Sequence, residues 1–156
     1  MDGVIAVEVY RKSFLIVLET VVERVHGYFL EPATSLLEAL AHVSAEEASR
    51  SVGAHGSTLA AQVNHLCVYI KVFNDEIRTG EQRPVAWQAA WQLGAVTEDE
   101  WQALLARLRA AYTRVRAFAQ ACEDWNEGLI SDAFAMVGHC AYHLGETRQG
   151  LGVLRG

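Results

Sequence analysis

His139 and His143 stand four residues apart in the stretch Gly138-His139-Cys140-Ala141-Tyr142-His143-Leu144-Gly145-Glu146. At 3.6 residues per turn they project within roughly 40° of each other, one turn apart, so the two imidazoles can share one metal ion. His65 lies on the inner edge of a separate predicted helix. In a bundle, side chains from facing helices converge on a single cation, and three neutral imidazoles with one position left for water form a complete catalytic set. The spacing alone also admits His65 as a hydrogen-bonded core histidine and the pair as solvent-facing residues. Against exposure of the pair, its neighbours Met136, Val137, Cys140 and Leu144 are apolar.

Two rival metal chemistries lack residues they require. A di-iron bundle needs repeated Glu-x-x-His pairs and further glutamates, and only Glu23 and His26 are so placed. Gln62, Met136 and Cys140 stand three residues before His65, His139 and His143. A zinc-protease helix carries a glutamate next to its first histidine, where this chain has Cys140. The thiols of Cys67 and Cys140 are turned about 200° and 100° from His65 and His139, and read as small core residues.

Such side chains need rigid elements to position them. Phe14, Leu18, Val21, Val22, Val25 and Phe29 recur at helical spacing and predict a first helix from about Val9 to Leu30, ended by Pro32. Leu36, Leu37 and Leu40 suggest a short helical piece, Ser44-Ala45-Glu46-Glu47 a capping box, and Gly53-Ala54-His55-Gly56-Ser57 a loop. A second long helix runs from about Thr58 to Ile77 and ends at Gly80. Leu59, Val63, Leu66, Ile70, Phe73 and Ile77 form its core stripe, and Gln62, His65, Tyr69, Val72 and Glu76 a site-lining stripe beside it. Residues 81–96 are irregular, with Trp87 and Trp91. Thr97-Glu98-Asp99-Glu100 caps a third helix to about Ala121, burying Trp101, Leu104, Leu108, Ala111, Val115 and Phe118. After a connection through Asp124, Asn126 and Gly128, the last helix runs from about Ser131 to Gly150. The fold expected is all-α, a four-helix bundle with a long crossover connection containing short helices, in a single domain over 1–156.

With 51% hydrophobic and 21% charged residues, the 156-residue chain falls in the globular range. A net charge of -6 with scattered basic residues gives no footprint for nucleic acid or an anionic membrane. Cys67, Cys122 and Cys140 form no paired spacing, which points to free thiols in a reducing, cytoplasmic setting. The apolar run Val4 to Leu18 is interrupted by Glu8, Arg11 and Lys12, unlike a signal sequence or membrane span.

Gly138 to Gln149 resembles the C-terminal motif of the DinB-like (YfiT-like) metalloenzymes. Ser57-Thr58-Leu59-Ala60-Ala61-Gln62-Val63-Asn64-His65-Leu66 resembles that family's second-helix motif, and the Trp87 to Trp101 region is also similar. The resemblance spans about residues 10 to 150 and leaves the stretch before Tyr10 unexplained. It implies a four-helix bundle with an unusual crossover, often a homodimer, in which His65, His139 and His143 hold a divalent metal, nickel or zinc. It further implies a small-molecule substrate and either a thiol-dependent S-transferase using a low-molecular-weight thiol, such as bacillithiol or mycothiol, or a hydrolase. A non-catalytic helical ligand-binding or stress-response protein is the alternative from another class.

Ligand histidines need an acceptor for the second ring nitrogen. Gln62, Tyr69 and Glu146, at helical spacing from His65 or His143, are the candidates for that role or for substrate contact, with Tyr142 and Arg148 weaker. His26 reads as core or pocket lining. His42 and His55 carry no signal. Trp87 and Trp91 could cover the site, pack a dimer interface or be buried in the monomer, and burial is the reading preferred.

Overall fold

The computed structural model describes residues 5–27, 29–52 and 56–156. They form seven helices: α1 (Val7–Val22), α2 (Leu36–Leu40), α3 (Ala45–Ala48), α4 (Leu59–Thr79), α5 (Trp87–Ala90), α6 (Glu98–Ala121) and α7 (Glu127–Arg155). Among the described residues there is no strand, only an isolated antiparallel bridge between Ser51 and Thr58. None of these helices is long and apolar enough to cross a membrane. Gly53, Ala54 and His55 of the expected loop, and Val4 of the N-terminal apolar run, lie outside the described residues.

The four long helices carry the packing. Helix α4 lies against α6 and α7, and α1 lies against the same two. Apolar stripes meet between them: Leu18, Val21 and Val22 of α1, Leu59, Val63, Leu66 and Ile70 of α4, Trp101, Leu104 and Leu108 of α6, and Met136, Cys140 and Leu144 of α7 are all buried. The helix starts are chemically marked. Ser44 with Glu47 and Thr97 with Glu100 form capping boxes as expected. Ser35 with Glu38 forms a third, which the same Ser-x-x-Glu spacing announces. Each cap satisfies otherwise orphaned N–H groups, typically worth ~1 kcal/mol.

Three helix ends differ from the sequence expectation. Helix α1 stops at Val22 rather than near Leu30. Gly27 adopts φ +79°, which an α-helix does not accommodate, and Phe29, which extends the apolar stripe in sequence, is exposed. His26 therefore lies beyond the helix, exposed, with Nε2 3.1 Å from Glu19 Oε1, and neither enters the core nor lines the histidine cluster. Helix α7 begins at Glu127, because the Asn126 side chain accepts from the Leu129 N–H at 3.0 Å and so caps it. Gly128 falls inside its first turn.

Helix α7 also continues through Gly150 to Arg155. Gly150 is a packing glycine rather than a terminator, since a Cβ there would stand 2.8 Å from Val52 Cγ2. Gly150→Ala is expected to destabilise by ~1 kcal/mol, overpacking exceeding the helix-propensity gain. Gly145→Ala, where a Cβ meets nothing within 4 Å, is expected to stabilise by up to ~1 kcal/mol. Urea unfolding of the two variants checks the opposite signs.

Candidate metal centre

His65 sits in the second turn of α4, whose start is fixed by Thr58: its hydroxyl accepts from the Ala61 N–H at 3.0 Å and donates to the Leu93 carbonyl at 3.1 Å. His139 and His143 project from the middle of α7, which packs on α4. A buried polar contact ties the two helices one turn past His143, where the Thr147 hydroxyl meets Gln62 Oε1 at 3.5 Å. Gln62 is thus spent on helix pairing and has no contact with a histidine nitrogen among its hydrogen bonds.

The three histidines converge. One nitrogen from each lies within 4.8 Å of the others, and the Nε2 atoms of His65 and His139 are 3.1 Å apart. Ring centroids are separated by 5.1 Å (His65 to His139), 5.0 Å (His65 to His143) and 4.6 Å (His139 to His143). Tetrahedral metal–imidazole bonds of ~2.05 Å require nitrogens ~3.4 Å apart, so small side-chain rotations bring this set to one cation. His65 and His143 are buried, and His65 Nδ1 has no hydrogen-bond partner.

Burial holds these rings neutral, the state in which imidazole is a ligand. Burial, with the nearby His143 and His139 adding repulsion, takes the His65 pKa down to about 4. Burial and then His139 take His143 to about 4 as well, and burial lowers His139. With folded values below the unfolded value, the unfolded chain binds protons between pH 6.5 and about 4 that the native chain refuses. Metal-free protein should therefore lose stability as pH falls through this window. A drop on the order of 2 kcal/mol from pH 7 to 5, measured by urea unfolding, is expected, and a flat profile contradicts it.

Glu146, one of the sequence candidates, places Oε2 2.8 Å from His143 Nδ1. The oxygen lies off the line of the ring N–H, so the pair is held by proximity rather than by an aligned hydrogen bond. Its other oxygen accepts from the Tyr142 hydroxyl at 2.9 Å. Tyr69 stacks on His139, with centroids 3.8 Å apart and planes 21° apart. Arg148 points elsewhere, 3.8 Å from Glu31. Cys67 and Cys140 are buried core thiols whose pKa values burial pushes up to about 11 and about 12.

The preferred reading of the tryptophans does not hold. Trp91 is half-buried and stacked on His65 at 4.3 Å, whereas Trp87 is 40% exposed and 5.9 Å from the same ring. Asn64, which drew no attention in the sequence, holds them there by donating from Nδ2 to the Ala90 carbonyl at 2.9 Å. A cavity of about 550 Å³ opens over the histidines, walled by Trp91, Tyr142 and Glu146 with Ser57 at its edge. Glu146→Gln should weaken nickel or zinc binding by about 10- to 100-fold while leaving the fold intact, as read by competition with a chromophoric chelator.

Comparison with protein-family models, curated proteins and solved structures finds no match.

Proposed function

We propose that this protein is a divalent-metal-dependent enzyme acting on a small molecule, with nickel or zinc held by His65, His139 and His143. The observation that carries the reading is the convergence of three neutral, largely buried imidazoles at one wall of a cavity of substrate size. When bound, a divalent cation supplies Lewis acidity, acidifying water or a thiol and polarising a carbonyl. Glu146 stands 2.8 Å from His143 Nδ1, the nitrogen that an outer partner of a ligand histidine would engage. Trp91 stacks on the His65 ring and Tyr69 on the His139 ring.

The order of the two motifs along the chain, and their resemblance to the DinB-like metalloenzymes, favour thiol-dependent S-transfer or hydrolysis. On this reading α1, α4, α6 and α7 are the four helices of the bundle, with α2 and α3 in its crossover, and the protein is a cytoplasmic homodimer. The test uses tag-free protein loaded with zinc or nickel, assayed with 4-nitrophenyl acetate and with cysteine plus 1-chloro-2,4-dinitrobenzene. Metal-dependent turnover of either, lost in His143→Gln, is the expected result. Absence of both from protein that holds metal contradicts an enzyme of either class and favours a ligand-binding protein.

A further inference from the structure

We propose that the cavity over the histidines receives the flat, uncharged, apolar part of a substrate and selects against a second negative charge on it. The proposal rests on the metal-centre reading for where the reacting end of the molecule sits. Its own support is the composition of the walls. Trp91 and Tyr142 both line the cavity: the Trp91 plane lies 22° from that of His65, and Tyr142 is 62% exposed with its ring 5.0 Å from His143. Two aromatic rings thus contribute to the lining beside the histidines, and the Asn64 clamp on Ala90 fixes the tryptophan side. Such faces take up planar apolar groups by offset or edge contacts.

Charge argues the same way. Among the described residues lining the cavity, Glu146 is the one ionisable group besides histidine and tyrosine, and no lysine or arginine is present. The residues outside the described ones include no lysine or arginine either. Arg148 faces Glu31 and Arg107 reaches Asn64 Oδ1 at 3.4 Å, neither forming part of the lining. A carboxylate or phosphate on the outer part of a substrate would meet Glu146 and find no cationic side chain in the lining. Burying it unpaired is costly.

The test compares phenylmethanethiol with its para-carboxylate, 4-(sulfanylmethyl)benzoate, two thiols differing in one remote charge. Calorimetry measures both on zinc-loaded and on chelator-stripped protein. The neutral thiol should bind zinc-loaded protein at least about tenfold tighter. Trp91→Leu, compared on chelator-stripped protein so that any effect on zinc uptake drops out, should weaken the neutral thiol about fivefold or more. Equal or tighter binding of the carboxylate, binding of neither thiol, or indifference to Trp91→Leu overturns the proposal. Failure to take up zinc sinks the metal-centre reading alone. The stripped protein then decides the preference, with the neutral thiol again tighter, and equal affinities overturning it.

Discussion

His139→Ala is expected to lower affinity for nickel or zinc by at least about 100-fold, since even outer partners of ligand histidines change affinity 10- to 100-fold. The substitution removes one of three converging nitrogens, the one 3.1 Å from His65 Nε2. It leaves helix α7 intact, because His139 is only half-buried and its ring rests on Tyr69 rather than in the apolar core. Alanine is also a better helix former than histidine. Competition titration against a chromophoric chelator measures the loss, and the circular dichroism spectrum confirms the fold. An affinity within about threefold of the unsubstituted protein would mean that His139 is not a ligand.

Trp101→Ala is the substitution expected to cost most in stability, about 3–5 kcal/mol. Trp101 is fully buried at the start of α6, and its indole Nε1 donates to the Val43 carbonyl at 2.7 Å. That bond fastens the segment between α2 and α3 to the helix capped by Thr97. Alanine leaves both a cavity and an unsatisfied carbonyl. Trp101→Phe retains much of the ring volume and isolates the second effect, about 1–3 kcal/mol. With total stabilities of ~5–15 kcal/mol typical of domains, the alanine variant approaches the threshold of unfolding. In urea, the midpoint should fall with little change in slope. A loss under about 1 kcal/mol in Trp101→Ala would contradict the packing described here.

Periodicity and capping carried much of the fold into view from the sequence. The core stripe of α4 and the boundaries set by Thr58, Gly80 and Thr97 follow from local rules, because Ser or Thr caps and left-handed glycines act within one turn. The glycines after α1 and within α7 are harder to read. Gly27 takes a positive φ beyond the end of α1, Gly128 sits inside a first turn, and Gly150 makes room for Val52, and only the packed chain distinguishes these uses.

The histidine set is similar. The i and i+4 spacing placed His139 and His143 on one face, but the approach of His65 is set by how α4 and α7 pack, through contacts such as that of Thr147 with Gln62. Gln62 and Glu146 looked equivalent as polar neighbours, yet one pairs helices and the other faces His143. Trp91 reaches His65 from an irregular connection, where no periodicity predicts direction, and its placement depends on Asn64, 27 residues earlier in the chain.

The central claim is that three histidines hold one divalent ion. Elemental analysis of protein produced without a histidine tag, incubated with nickel or zinc and freed of excess by gel filtration, tests it most directly. About one ion per chain, lost when His65, His139 and His143 are all replaced by alanine, is the predicted result. Less than roughly a tenth of an ion per chain, or an undiminished content in the triple variant, would contradict it.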